Sequence, residues 1–127
     1  MTIKILIADD EPNILLSLEY LMKRAGYEVH LARDGQQALD MLRRERPSLL
    51  LLDVMMPTKS GFEVCQELRA DAEIQDTLVL MLTAKGRDTD TARGRAMGAD
   101  AYMTKPFSTK ELAQKVSDML AARPPAP

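Results

Sequence analysis

The sequence predicts a doubly wound α/β domain, a five-stranded parallel sheet with helices on both faces. Three observations predict it. Short, near-continuous apolar runs recur along the chain, each closed by a polar residue, and such runs read as strands buried on both faces. Amphipathic stretches with helical spacing fill the gaps between them. The alternation gives five βα units in sequence, which implies a single sheet with right-handed crossovers.

The first run is Ile3-Lys4-Ile5-Leu6-Ile7-Ala8, ended by Asp9 and Asp10. Pro12 suits the first turn of the helix that follows, whose stripe is Ile14, Leu15, Leu18, Leu21 and Met22, and Gly26 can end it. Tyr27, Val29 and Leu31 alternate with Glu28 and His30, a pattern that fits an edge strand. Asp34 opens a second stripe of Ala38, Leu39, Met41 and Leu42. Ser48-Leu49-Leu50-Leu51-Leu52 is the next apolar run, ended by Asp53. Ser60 with Glu63 has capping-box spacing before Val64, Cys65 and Leu68. Thr77-Leu78-Val79-Leu80-Met81-Leu82 runs into Thr83. A helix over about Asp88 to Met97 has few apolar positions and contains Gly94, so it is the weakest of the set. Ala101-Tyr102-Met103 is the candidate for the second edge strand. Ser108 with Glu111 repeats the capping-box spacing before Leu112, Val116, Met119 and Leu120. Proline then stops the helix, and Arg123-Pro124-Pro125-Ala126-Pro127 reads as an extended tail. The expected organisation is one domain over 1–122 with a proline-rich tail over 123–127.

Composition narrows the functional classes. The chain has 127 residues, 46% of them hydrophobic, enough for a full core in one domain. A lone cysteine, Cys65, forms no intrachain disulfide and fits a reducing compartment, so the expected location is the cytoplasm. Neither a secretory signal nor an apolar run of membrane-spanning length is visible. Net charge is −2 without a basic tract, and aromatics are 4%, which argues against direct nucleic-acid binding.

In an open parallel sheet, ligands bind outside the carboxyl ends of the strands. Asp9 and Asp10 follow the first strand, Asp53 the third, Thr83 the fourth and Lys105 the fifth. A strand order of 2-1-3-4-5, assumed because periodicity does not supply it, would put the three carboxylates in one crevice beside Thr83 and Lys105. Two unit charges ~4 Å apart cost about 4 kcal/mol at an effective dielectric of 20. Such a cluster either takes up protons or holds a cation, and hard oxygen ligands with open positions suit Mg²⁺. A carboxylate, a metal, a lysine and a hydroxyl are the equipment for phosphoryl transfer to a carboxylate.

Each residue taken singly has an ordinary explanation. Asp10 or Glu11 could begin the helix that Pro12 enters, Asp53 could be a turn residue, Thr83 a helix cap, Lys105 a solvated lysine. His30 reads as a surface or rim residue and Cys65 as core, and the nine methionines fall mostly on core stripes. The conjunction of five such residues at four strand ends is what these explanations leave unaccounted for.

At these residues the sequence resembles the response-regulator receiver family of two-component systems, chemotaxis receivers in particular. The resemblance covers about residues 3–121. It rests on Ile5-Leu6-Ile7-Ala8-Asp9-Asp10-Glu11, Leu51-Leu52-Asp53-Val54-Met55-Met56-Pro57, Gly61-Phe62-Glu63, Leu82-Thr83-Ala84, and Gly98-Ala99-Asp100-Ala101-Tyr102-Met103-Thr104-Lys105-Pro106-Phe107. It implies a flavodoxin-like fold and a phosphorylation-dependent switch. Asp53 would be the phosphoacceptor, fed by a sensor histidine kinase or a histidine phosphotransfer protein. Asp10, Asp53 and the backbone carbonyl of Met55 would bind Mg²⁺ directly, with Asp9 acting through water. Lys105 would pair with the phosphoryl oxygens, the Thr83 hydroxyl and the Ala84 N–H would bond them, and Lys105-Pro106 would be a cis peptide. Thr83 and Tyr102 would then move together, altering the surface of the fourth helix, fifth strand and fifth helix for a downstream effector. The chain would catalyse its own phosphoryl transfer and slow dephosphorylation without being a conventional enzyme.

Two features qualify the match. Ala101 stands where receivers attached to winged-helix DNA-binding domains often carry a second aspartate, so their charged dimer surface is not implied here. Met55 and Lys85 occupy positions that tune phosphoryl lifetime, without fixing a rate. Three rivals fit less well. A flavin carrier of the same fold needs a hydroxyl- and glycine-rich phosphate loop where this chain has Asp9-Asp10-Glu11. An aspartyl-phosphate phosphatase usually has a second aspartate where Met55 stands. A degenerate receiver acting as a scaffold would not need all five acceptor-site residues.

Overall fold

The computed structural model describes residues 2–84 and 98–122. Its elements are β1 (Lys4–Ala8), α1 (Pro12–Arg24), β2 (Glu28–Ala32), α2 (Gly35–Glu45), β3 (Leu49–Asp53), α3 (Gly61–Ala70), β4 (Leu78–Ala84), β5 (Ala101–Lys105) and α4 (Thr109–Ala122). The helix expected near 88–97, Lys85 and the tail over 123–127 lie outside the described residues, so α4 is the last of the expected helices. All strand pairs are parallel, in the order β2-β1-β3-β4-β5. This is the doubly wound, flavodoxin-like architecture, with β2 and β5 as its edges.

The unbroken apolar runs divide by alternation between two cores. Leu6, Ala8, Leu50, Leu52, Val79 and Met81 face Ala38, Leu39 and Leu42 of α2 and Val64, Cys65 and Leu68 of α3. Ile5, Ile7, Leu49, Leu51, Leu80 and Leu82 face Leu15, Leu18 and Met22 of α1 and Leu112 and Val116 of α4. Every residue of β3 is buried, which explains why its sequence is leucine on both faces.

Helix starts follow the polar signals. The Asp34 side chain accepts from the Gln37 N–H at 2.8 Å. Ser60 and Glu63 form the reciprocal capping box. Ser108 Oγ accepts from the Glu111 N–H at 3.0 Å. Pro12 takes the first position of α1, and Gly26 after that helix has φ +96°, a conformation open to glycine at no steric cost.

Three boundaries differ from expectation in a way that matters. Thr83 and Lys105 do not follow their strands but belong to them, because pairing continues through Thr83↔Thr104 and Ala84↔Lys105. Asp53 likewise closes β3, paired with Leu82. Residues on paired strands inherit the sheet's rigidity, so the polar residues are held more firmly than loop residues would be. Among the described residues, no helix is long and apolar enough to cross a membrane.

Burial fixes the expected cost of truncation. Leu51→Ala, at a fully buried site in the central strand, is expected to lose ~2–5 kcal/mol in urea denaturation. Leu16→Ala, at a site 62% exposed on α1, is expected to change stability by less than about 0.5 kcal/mol.

Candidate functional site

The carboxyl ends of β1, β3 and β5 bring Asp9, Asp10, Asp53 and Lys105 together. Asp9 is fully buried and Asp53 nearly so, at 8% exposure, while Asp10 is exposed. One carboxylate oxygen from each of the three lies within 4.8 Å of those of the other two. The Lys105 ammonium stands 3.0 Å from Asp9 Oδ2 and 3.4 Å from Asp53 Oδ1. It is therefore paired, contrary to the ordinary explanation for an isolated lysine.

Asp9 is held at both oxygens. Oδ1 accepts from the Glu11 N–H at 2.9 Å, and Oδ2 accepts from Lys105. Asp10 takes no part in starting α1, since Glu11 is the residue that precedes the helix and it caps with no side-chain bond. The acidic pair thus falls into two roles, an inward anchor and an outward carboxylate with solvent access.

Charge balance follows from this crowding. Burial first, and the Asp9 charge second, push the Asp53 carboxyl up to about 6, against the opposing pull of Lys105 and the Met55 N–H. Burial alone would lower the Lys105 ammonium, but its bond to Asp9 and the charge of Asp53 outweigh that and hold it above its ordinary value. Among the described residues one ammonium faces three carboxylates, and the remainder of the charge is what a divalent cation would balance. The donor set is all oxygen and carboxylate-rich, with open positions beside Asp10, which fits Mg²⁺.

Alternation assigns the other residues to the opposite side. Thr83 shares the parity of Val79 and Met81, is buried, and so lies toward α2 and α3. Tyr102 packs against the same core, with its hydroxyl out of solvent. Asp53 and Lys105 share the parity of Leu51 and Met103, on the side of α1 and α4. Ala84 is the last residue of β4, paired with Lys105. The peptide between Lys105 and Pro106 is cis.

Sequence reading includes Gly61 in the motif Gly61-Phe62-Glu63 but assigns it no spatial role. A Cβ there would collide with the backbone carbonyl of Asp53 and touch Val54, while the Gly61 N–H donates to the Val54 carbonyl at 2.8 Å. The start of α3 is thereby pressed against the end of β3, an approach only glycine permits. The signal was the Gly61-Phe62-Glu63 run, whose reason is spatial.

Two further groups are accounted for structurally. His30 lies on the sheet rim, 2.7 Å from Glu28 and 3.5 Å from Glu45, with Lys4 and Arg44 beside the same carboxylates. The hydrogen bond to His30 holds the Glu28 carboxyl below its ordinary range. That network is already supplied with cations by its own side chains. Cys65 is buried, and burial pushes its thiol up to about 11, so it is core and not a nucleophile.

Residues 5–117 match the model of the response regulator receiver domain. Solved structures agree over nearly the full length. A chain assigned as a response regulator from Chloroflexus aurantiacus is 34% identical, covers 95% of this chain and 99% of its own, and superposes with a TM-score of 0.91. The chemotaxis response regulator CheY4 of Vibrio cholerae is 31% identical, with coverage of 93% and 98% and a TM-score of 0.87. The receiver domain of sensor histidine kinase PA1611 from Pseudomonas aeruginosa, 27% identical over 96% and 100%, has a TM-score of 0.88, and its structure holds a magnesium ion coordinated in the active-site cleft.

The position of the Asp53 carboxyl sets a pH dependence. Its folded value of about 6 lies above the ordinary 3.8, so the folded chain binds this proton more tightly than the unfolded chain. The stabilisation is complete below about pH 4 and is lost as pH rises through about 6. In EDTA, Asp53→Asn is therefore expected to exceed the parent in stability by ~1–3 kcal/mol at pH 7.5, with the gap closing toward pH 4. Urea denaturation of both proteins across that range checks it, and a gap that does not change with pH would contradict the crowding.

Proposed function

Because the chain belongs to the response-regulator receiver family, we propose that it is a phosphorylation-dependent switch that takes its phosphoryl group on Asp53. The observation that carries the reading is the convergence of Asp9, Asp10, Asp53 and Lys105 at the carboxyl ends of three strands. The donor is a phosphohistidine on a sensor histidine kinase or a histidine phosphotransfer protein, and the setting is the cytoplasm.

The geometry supports an in-line displacement. Asp53 Oδ attacks phosphorus, an O–P bond forms, the N–P bond to the donor histidine breaks, and the imidazole keeps the electron pair and takes up a proton. Asp53 must be ionised to attack, and a carboxyl near 6 is mostly ionised at neutral pH. Mg²⁺, held by Asp10, Asp53 and the Met55 carbonyl with Asp9 acting through water, would supply charge neutralisation for the carboxylates and the incoming phosphoryl oxygens. Asp9 anchors Lys105 at 3.0 Å, so the ammonium is already placed beside the acceptor when the phosphoryl group arrives. The Thr83 hydroxyl and the Ala84 N–H bond the remaining oxygens.

A phosphoryl group adds about −1.5 to −2 charges to this cluster. Thr83 and Tyr102 lie on the same side of neighbouring strands, with Met81 paired to Tyr102 and Thr83 to Thr104. Movement of Thr83 toward the phosphoryl group is thus felt next by Tyr102, and the surface around β5 and α4 changes for a downstream effector. The chain turns over its own phosphoryl group slowly and acts on no other substrate.

Asp53→Asn and Asp53→Ala are expected to abolish phosphoryl uptake from a small donor while keeping the fold, read by intact mass and circular dichroism. Uptake at the parent rate in both variants would overturn the assignment. Lys105→Ala is expected to retain some uptake but to lose the coupling to the Tyr102 surface. Unchanged phosphorylation-dependent binding of the effector by that variant would count against the proposed role of Lys105.

A further inference from the structure

The loop between β3 and α3 leaves the acceptor strand at Asp53 and passes through Met55, Pro57 and Thr58 before Ser60 caps α3. Thr58 has φ +64°, the left-handed region, where a β-branched residue is an outlier that its surroundings must hold in place. What holds it is the start of α2. The Gly35 N–H donates to the Pro57 carbonyl at 3.1 Å, and the Gln36 N–H donates to Thr58 Oγ1 at 3.0 Å. The Thr58 hydroxyl in turn donates to Asp34 Oδ1 at 3.1 Å, the oxygen that also accepts from the Gln37 N–H. The first amides of a helix have no partner within it. Here two of them are satisfied by the loop that carries Met55. A Cβ at Gly35 would collide with the Lys59 carbonyl, so the two backbones are in direct contact.

The same loop is fixed at its other end. Val54 N–H donates to the Leu82 carbonyl at 3.2 Å, and its carbonyl accepts from the Gly61 N–H. Met55 to Thr58 is therefore a span held at both ends, by the acceptor strand and α3 on one side and by α2 on the other.

We infer that Thr58 is a positioning residue for the cation site, holding the Met55 backbone in place by capping α2 with its own hydroxyl. The inference rests on the reading of the acidic cluster as a Mg²⁺-dependent phosphoryl acceptor. Thr58 touches neither metal nor phosphoryl group; it acts through the loop. Groups that orient a metal's direct ligands typically change metal affinity by about tenfold when removed.

The test is isothermal titration of EDTA-stripped protein with MgCl₂. Four chains are compared: the parent, Thr58→Val, Thr58→Ser and Thr58→Gly. Valine keeps the branching and loses the hydroxyl, and is expected to weaken Mg²⁺ binding by about tenfold. Serine keeps the hydroxyl and is expected to rescue affinity to within about twofold of the parent. Glycine adopts positive φ without strain, so it folds readily, yet it lacks the hydroxyl and is expected to bind as weakly as valine. Ser108→Ala removes a comparable hydroxyl cap from α4 and is expected to leave Mg²⁺ affinity unchanged, which separates positioning from general loss of stability. Parent affinity in both Thr58→Val and Thr58→Gly would overturn the inference while leaving the phosphoacceptor reading intact. A parent that binds no Mg²⁺ would overturn both.

Discussion

Among the described residues, the Lys105 ammonium, 3.0 Å from Asp9 and 3.4 Å from Asp53, is the one cation inside a cluster that holds three carboxylates. Removing it would leave a fully buried aspartate and a nearly buried one facing each other with only backbone N–H groups to offset their charge, a situation that costs several kcal/mol. Among the described residues, one positive charge faces three carboxylates and does not neutralise them. That imbalance is the property the rest of the structure is arranged to keep. In the proposed function it would draw a divalent cation and, with the cation in place, the oxygens of a phosphoryl group.

The sheet supplies the arrangement. β1, β3 and β5 run parallel in one sheet, so their carboxyl ends share one edge: Asp53 and Lys105 close β3 and β5, and Asp9 and Asp10 follow Ala8 at the end of β1. Alternation then separates two tasks. Asp53 and Lys105 belong to the α1 and α4 side, whereas Thr83 and Tyr102 belong to the α2 and α3 side. In the proposed switch a phosphoryl group on Asp53 would sit where the two sides meet, and the Thr83 hydroxyl that would reach for it comes from the side that carries the tyrosine.

Much of this was visible in the sequence because the governing signals are local. Leu49 to Leu52 are apolar on both faces, which specifies burial on both faces and therefore a parallel sheet. Asp34, Ser60 and Ser108 announced helix starts three residues ahead of their backbone partners. The conjunction of Asp9, Asp10, Asp53 and Lys105 was also visible, although the strand order that unites them had to be assumed. What the sequence did not show is contact between segments distant along the chain. Thr58 reads as an ordinary loop threonine until Gln36, 22 residues earlier, is seen donating to it. Gly61 reads as a helix start until the Asp53 carbonyl is found against it. His30 reads as a rim residue, and the structure keeps it there, but its two glutamate partners come from β2 and the end of α2. The extra residues of β4 and β5 were missed because Thr83, Thr104 and Lys105 are polar, and only pairing with the neighbouring strand reveals them as strand.

The central claim is that crowding raises the Asp53 carboxyl and that a divalent cation relieves it. Carbon-13 NMR of the Asp53 carboxyl, titrated in EDTA and again in saturating MgCl₂, measures this directly. The account predicts a midpoint near 6 without metal and a midpoint at least about 2 pH units lower with it. A midpoint near the ordinary aspartate value in EDTA, unmoved by Mg²⁺, would contradict it.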